Sequence, residues 1–324
     1  MPCYNAERYV RLSLNAIISQ LINKPVELII VNDGSTDKTL EILREFQLRH
    51  QNQLVVITKD NAGPSQARNT GFKEAKGEYI WYVDADDIIC EGAIDILLSY
   101  IEHLKVDIIC FNYKEIDMQG NSINDIRDFH YTYNVNMGTA EAYAKNNIPS
   151  YPWNRIFRQI FLSDNGITFS GIYPEDEEYD IQTYYANGSL LFIPEVLYQY
   201  RIVSTSHSRN NIKTFILYCN GYPKIIEALI DRAKHIESKD FCTKLLYNCI
   251  RNKMVNLNRV WILNSNAIPY TRKDVYAIDK RYIDRMLPSI SFKGKYGLLL
   301  WSIYRLPWVL DMIIYLRYRL LKWT

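Results

Sequence analysis

Glycine and proline are scarce in this 324-residue chain, at 13 and 11 residues, and 48% of the chain is hydrophobic. That composition excludes collagen-like repeats and intrinsic disorder. Net charge is small as well, +2 at pH 7, so overall charge does not draw the chain to nucleic acid or another polyanion. The six cysteines (Cys3, Cys90, Cys110, Cys219, Cys242, Cys249) form no CxxC pair and have no histidine at metal-ligand spacing. A disulfide scaffold is excluded, and buried free thiols in a reducing compartment are expected. Neither GxxxxGK[ST] nor GxGxxG occurs, so any phosphate is held by something other than a P-loop or a dinucleotide-binding glycine turn. No internal repeat is visible. The length allows one large domain with an appendage, or two modest domains.

Tyrosine, by contrast, is abundant at 26 residues, which suits recognition of sugars, bases or a membrane interface. Charge is unevenly spread. From Lys280 to the end nine basic residues face only Asp284 and Asp311, making this stretch +7 and leaving residues 1–279 at −5.

The first 90 residues alternate strand and helix. Val10, Leu14, Ile17, Ile18 and Leu21 form a one-faced helical stripe within residues 6–21. Leu28–Val31 reads as a buried strand ending at Asn32-Asp33-Gly34-Ser35-Thr36-Asp37, and a second helix runs to about His50. Leu54–Ile57 is the next strand; after Gly63-Pro64 come a helix near 65–75 and the strand Tyr79–Val83. This rhythm predicts an open, mostly parallel α/β sheet. Strands are expected again at Asp107–Tyr113 and Leu190–Pro194. Beyond a boundary near 205–210 the pattern becomes helical, with helices over Phe215–Lys234 and Phe241–Leu263.

Tyr79–Val83 runs directly into Asp84-Ala85-Asp86-Asp87. Ligands in parallel α/β sheets sit beyond the carboxyl ends of strands. At about 4 Å and an effective dielectric near 20, each like-charged pair costs about 4 kcal/mol. A divalent cation would relieve that cost, and oxygen ligands favour Mg²⁺ or Mn²⁺. The alternative is a helix cap, with Asp86 or Asp87 starting a helix over Glu91–Tyr100. Asp33 and the Asn61–Arg68 loop also stand at strand ends, so three successive strands direct polar groups to one sheet edge. An acid, an arginine and a metal-bound pyrophosphate there would make a nucleotide site.

The same residues resemble family 2 glycosyltransferases. The likeness rests on Pro2-Cys3-Tyr4-Asn5-Ala6-Glu7, Val31–Asp37, Asn61–Gly71, Ala75–Tyr79 and Val83–Asp87, in the family's order and spacing. Trp153–Phe157, Tyr173–Asp176 and Leu197–Arg201 resemble the family's acceptor-side segments, extending the likeness to about residue 208. The resemblance implies a GT-A-type nucleotide-diphospho-sugar transferase fold over 1–208; beyond it the pattern gives a helical region over 209–290 and a basic, aromatic tail over 291–324. It implies inverting transfer from a UDP-sugar to a glycan or lipid-linked saccharide, assisted by Mn²⁺ or Mg²⁺, at the cytoplasmic face of a bacterial membrane. Pro2, Tyr4, Asp33, Arg68 and Asp84 would bind the donor, with Tyr4 and Asp33 at the uracil. Asp86 would be the direct metal ligand, with Asp84 nearer the ribose. Glu175, Trp153 and Arg201 fall on the acceptor side.

Asp176 matches the family's general base, whereas its residues alone read rather as a solvated acidic first helical turn. The rival to a transferase is an inactive nucleotide-sugar-binding partner subunit. A nucleotidyltransferase would need a glycine-rich, basic N-terminal loop that is not here. Two departures stand out. Asn32 precedes Asp33 where the family has two acids, and the family's apolar strand before Pro2 leads to the expectation that the native chain starts upstream.

Trp81 is expected in the core, and Trp153 is a candidate for stacking on a sugar. His207 is either a phosphate contact or an ordinary loop residue. Residues 297–316 hold ten Leu, Ile or Val residues, worth about −3 to −6 kcal/mol of membrane insertion, against about +5 to +7 for Arg305 and Asp311. A membrane span is therefore not expected. Interfacial helices with a basic flank at Arg317–Trp323 fit, as does a packed helical subdomain or dimer contact.

Overall fold

The computed structural model describes residues 1–51, 53–127, 136–146, 148–202, 212–233, 238–263, 272–306, 308 and 312. The expected boundary at 205–210, His207, Pro307, Asp311 and Arg317–Trp323 lie outside the described residues. The chain divides into two compact units. One comprises Met1–Ala142, Asn146–Gly171 and Glu175–Ser204; the other comprises Tyr143–Lys145, Ile172–Pro174 and Thr205–Thr324.

The first unit is α/β. Its elements begin with β1 (Pro2–Cys3), α1 (Val10–Ile18), β2 (Leu28–Asp33), α2 (Thr39–Arg49), β3 (Leu54–Lys59), α3 (Pro64–Glu74), β4 (Tyr79–Trp81), β5 (Ile88–Ile89) and α4 (Ala93–His103). They continue with β6 (Ile108–Ile116), β7 (Ser122–Arg127), β8 (Met137–Gly138), α5 (Thr139–Lys145, shared with the second unit), β9 (Arg155–Arg158), α6 (Gln159–Asp164), α7 (Glu175–Tyr185) and β10 (Ser189–Arg201).

Parallel pairing is concentrated in a three-stranded sheet, β1-β2-β3. All six β2 residues are buried, as expected of a parallel strand covered on both faces. Pro2 and Cys3 pair with Val31 and Asn32, and the Met1 amino group donates to the Ile29 carbonyl at 2.8 Å. A second, seven-stranded sheet runs β4-β9-β6-β10-β5, with β7 on β6 and β8 on β10. Only β6–β10 is parallel within it; β4–β9, β6–β9, β10–β5, β6–β7 and β10–β8 are antiparallel. The mostly parallel sheet read from the βαβ rhythm therefore holds for β1–β3 and gives way to mixed pairing beyond Tyr79.

One apolar cluster joins α1 (Val10, Leu14, Ile17), β2 (Ile30), α4 (Ile94, Leu97) and β10 (Leu191, Ile193, Leu197). Burying such side chains stabilises by about 1.5–3 kcal/mol each. Neither Asp86 nor Asp87 caps a helix: α4 starts after Gly92, whose φ of 75° suits glycine. This removes the bland reading of the acidic cluster.

The second unit is helical: α8 (Ile212–Ala233), α9 (Lys239–Leu263), α10 (Arg272–Met286) and α11 (Gly294–Arg305). Tyr222, Ile225, Ile226, Leu229 and Ile230 of α8 and Leu245, Leu246, Cys249 and Ile250 of α9 are buried, at the 3–4 residue spacing of packed helices. A buried Lys253–Asp279 ion pair links α9 to α10. Gly297 is required, because a Cβ there would lie 2.4 Å from the Ser291 carbonyl oxygen. All six cysteines are free and five are fully buried. Among the described residues no helix is long and apolar enough to cross a membrane.

Candidate active site

The ends of β1, β2, β3 and β4 supply the loops of the site. Tyr4 follows β1 and is 52% exposed. Asn5 takes a positive φ of 48°, which asparagine tolerates better than most residues, and its carboxamide accepts from the Thr36 amide at 2.8 Å. The Asp37 carboxylate accepts from the Glu7 amide at 3.1 Å, so the loops after β1 and β2 are tied together. Gly34, at φ 71°, passes so close to Asn61 that a Cβ would sit 2.8 Å from its amide nitrogen.

Asp33 ends β2 with its side chain 3% exposed. Its carboxylate accepts from Lys59 Nζ at 2.7 Å, the Gly63 amide at 2.8 Å and the Ala62 amide at 3.1 Å. With the Ala62 amide also 3.2 Å from the second oxygen, the carboxylate engages all of its roughly four acceptor positions in shaping the loop after β3. Lys59, at the end of β3, is a contributor the sequence reading missed.

Arg68 on α3 is buried and stands between two sequence-predicted acids. It donates to Asp84 Oδ1 at 3.0 Å and to Asp176 Oδ1 at 3.4 Å, with Glu175 Oε1 at 3.9 Å. Its guanidinium lies 5.1 Å from the centre of the Phe169 ring, and its buried Nε has no acceptor among the described residues. Burial would discharge this arginine, but Asp84, Asp176 and Glu175 outweigh burial and hold it charged. Asn69, next in the helix, exchanges hydrogen bonds with the Phe169 backbone at 2.8 and 3.0 Å. Phe169 in turn stacks on Tyr179 of α7, 4.0 Å away. These contacts bring Asp176 to Asp84 from 92 positions further along the chain.

Asp176 lies in the acidic first turn of α7 with Glu175, Glu177 and Glu178, the helix start its residues suggest, and from there it meets Arg68. Partial burial raises its proton affinity well above the usual carboxylate range, against the pull of Arg68 and with the help of Glu175 and Asp84.

The three acids after β4 have separate environments. Asp84 pairs with Arg68. Asp87 is 1% exposed and turns inward, accepting from the Arg201 amide at 2.7 Å and the Tyr198 hydroxyl at 2.8 Å. Burial pushes its proton affinity up. Asp86 alone keeps a carboxylate that no other described residue hydrogen-bonds. Burial, then the charge of Asp84, raise it to about 6. Of the three acids, Asp87 is thus fully engaged by the protein, Asp84 is paired with Arg68, and Asp86 is left without a hydrogen-bond partner among the described residues.

Two acceptor-side expectations are corrected. Trp153 is only 4% exposed, its ring stacked with Tyr151, Tyr198 and Tyr200 at 4.8, 4.7 and 5.2 Å. The indole is covered by protein and presents no face to a sugar. Arg201 is 2% exposed, donating Nε to the Asp86 carbonyl at 2.8 Å and Nη1 to the Asp117 and Met118 carbonyls. It serves the acidic turn. Trp81 is partly buried and packs against the core cluster, with its indole N–H on the Trp153 carbonyl at 2.8 Å.

The family profile described as Glycosyl transferase family 2 matches residues 1–164. The chain belongs to glycosyltransferase family 2. It is 31% identical over 217 residues to glycosyltransferase GlyA of Streptococcus pneumoniae, covering 64% of this chain and 31% of that protein. It is 39% identical over 109 residues to minor teichoic acid biosynthesis protein GgaB of Bacillus subtilis, 33% of this chain and 12% of that one. The chain thus spans less than a third of the length of either relative. In three dimensions it resembles residues 1–349 of S. aureus TarS, with a TM-score of 0.65 at 19% identity, over 97% of this chain and 87% of that one. A TarS structure with UDP-GlcNAc gives 0.64 at the same identity and coverage. This likeness establishes the GT-A fold.

Proposed function

We propose that this family 2 chain transfers a sugar from a UDP-sugar to a hydroxyl of a glycan or lipid-linked saccharide, inverting the anomeric centre. The observation that carries the reading is Arg68, buried between Asp84, the first acid of the Asp84-Ala85-Asp86 turn, and the candidate base, Asp176. The TarS structures with UDP-GlcNAc and with UDP support a uridine donor, and the naming of GgaB for teichoic acid synthesis supports a surface-polymer acceptor.

The fit to a divalent cation follows from the donor set. Among the described residues no three His, Cys, Asp or Glu side chains come together as a cage. Mg²⁺-type ions bind through one or two carboxylates and complete their shell with substrate phosphates and water, and Asp86 with Asp84 supplies those carboxylates. A cation bound by these two carboxylates would supply Lewis-acid stabilisation of the diphosphate, worth several kcal/mol to its departure.

The remaining work belongs to the protein. Tyr4, exposed beyond β1, offers a ring to the uracil, and the Asp33 carboxylate, held by Lys59 and the Ala62 and Gly63 amides, accepts a base N–H. The orphan Nε of Arg68 gives a phosphate oxygen a buried donor. Asp176 accepts the proton of the acceptor hydroxyl as that oxygen bonds to the anomeric carbon on the face opposite the departing UDP. An unpaired carboxylate at Asp86 and a raised proton affinity at Asp176 support a working enzyme over an inactive partner subunit. Screening a panel of UDP-sugars for UDP release with Mn²⁺ and with EDTA tests this; no release from any donor, with or without acceptor glycans, would favour the partner-subunit reading.

We further propose contact with the cytoplasmic face of an anionic membrane through residues 291–324. On α11, Gly297, Leu300 and Ile303 pack inward while Leu298 and Trp301 are 62% and 45% exposed beside Lys295 and Arg305. Two apolar side chains withdrawn from water are worth about 1.5–3 kcal/mol each. A Leu298→Ser, Trp301→Ser double variant is therefore expected to pellet with anionic liposomes at least about tenfold less. Equal pelleting of variant and wild type would remove the membrane role.

A further inference from the structure

The turn Asp84–Asp87 is held from outside by three buried side chains. Ser13 on α1 directs its hydroxyl to the carbonyls of Ala85 at 2.9 Å and Asp87 at 2.5 Å. Tyr198 on β10 donates to Asp87 Oδ2 at 2.8 Å and accepts from the Asp84 amide at 3.1 Å. Arg201, at the end of β10, holds the Asp86 carbonyl at 2.8 Å, and its amide holds Asp87 Oδ1 at 2.7 Å. Ser13 and Tyr198 are 0% exposed and Arg201 2%.

Together these contacts occupy the amide of Asp84, the carbonyls of Ala85, Asp86 and Asp87, and both carboxylate oxygens of Asp87. They leave the carboxylates of Asp84 and Asp86; Arg68 takes the first at 3.0 Å, and that of Asp86 is left over. A turn whose backbone is fixed at four consecutive residues, with one carboxylate left unpaired, has the form of a preorganised ligand arm. If the three side chains served only the core, nothing would require them to converge on four successive residues while sparing one side chain.

We propose that Ser13, Tyr198 and Arg201 are positioning residues for a divalent-cation site at Asp86, acting through the turn backbone. This rests on the metal-assisted reading above. It moves Arg201 from the acceptor side to the donor side, and it explains the third acid: Asp87 is the inner anchor of the turn, not a cation ligand.

The test is calorimetry of UDP binding to the full chain in Mn²⁺ and in EDTA, read as the ratio of the two dissociation constants. Tyr198→Phe keeps the ring and removes only the hydroxyl; Ser13→Ala removes the other backbone tie with little change in volume. Removing an outer-shell partner of a metal ligand typically costs 10–100-fold in affinity, so each variant is expected to lower the ratio by about tenfold or more and to leave binding in EDTA unchanged. Tyr184→Phe is the control. It removes an equally buried hydroxyl, the one that accepts from Arg155 Nη1 at 3.0 Å, and is expected to melt earlier with the wild-type ratio intact. Wild-type ratios in both Ser13→Ala and Tyr198→Phe would overturn the proposal, as would an equal fall in Tyr184→Phe. If Tyr198→Phe does not fold, Ser13→Ala decides. A wild-type ratio of one would overturn the metal reading itself and this proposal with it.

Discussion

Asp176→Asn is expected to lower sugar transfer by at least a hundredfold while UDP binding stays within about threefold of wild type. The substitution preserves volume and keeps a carboxamide oxygen for Arg68, now 3.4 Å from the carboxylate, but it removes the group that takes the acceptor proton. General-base catalysis typically contributes about 10²–10⁴. Donor binding is spared because the guanidinium loses a competing negative partner, which leaves it freer for the diphosphate. Glu175 is the internal comparison. It lies 3.9 Å from the same guanidinium and shares the helical turn, so Glu175→Gln tests whether any acid there suffices. A loss below about tenfold is expected for it. Turnover of Asp176→Asn within about tenfold of wild type would take Asp176 out of the mechanism.

The largest stability effect is expected from Arg155→Met. Arg155 and Asp180 are both 0% exposed. The guanidinium donates to the Asn154 carboxamide at 3.1 and 3.0 Å, the Tyr184 hydroxyl at 3.0 Å and the Pro149 carbonyl at 2.5 Å, and stands 3.2 Å from Asp180. Burial pushes Asp180 up to about 7 even against the pull of that arginine. Without it, α7 carries a buried carboxyl with no counter-charge three positions after Glu177.

Breaking such a pair costs about 3–5 kcal/mol, whereas replacing both partners with apolar residues is often neutral. For a unit of this size that cost corresponds to a melting temperature lower by about 6–20 °C. An Arg155→Met, Asp180→Leu double variant is expected to recover much of the loss. A single variant melting within about 2 °C of wild type would show that the pair is dispensable.

The parts of the fold legible in the sequence were those whose signal is local. Leu28–Val31 reads as a strand because four aliphatic residues run together before a turn, and β2 extends them only to Asp33. The stripes on α8 and α9 predicted those helices to within three residues at each end. The break into two sheets was not legible, because it depends on which partner β4 takes. That partner is the four-residue β9, more than 70 positions away.

Within the site, the strand-end acids and Arg68 could be named from the sequence, whereas the assignment of each carboxylate could not. Asp84, Asp86 and Asp87 look alike in a row. One meets a guanidinium, one is left unpaired, and one turns into the protein to meet Tyr198 and Arg201 from 111 and 114 positions away. Trp153 and Arg201, which the family likeness assigns to the acceptor side, are each packed against groups brought by distant strands, and no local pattern reports such packing. Ser13, Lys59, Asn69 and Phe169 gave no signal, since nothing local distinguishes a serine on a helix or a phenylalanine in a loop.

The central claim is that Asp86, with Asp84, holds a cation that shares its coordination with the donor diphosphate, across Arg68 from the base. Anomalous diffraction at the manganese edge from crystals grown with UDP and Mn²⁺ tests it most directly. The account predicts a manganese peak in coordination contact with the Asp86 carboxylate and with UDP oxygens. UDP bound in the site with no manganese at Asp86, or with the ion held by other residues, would contradict it.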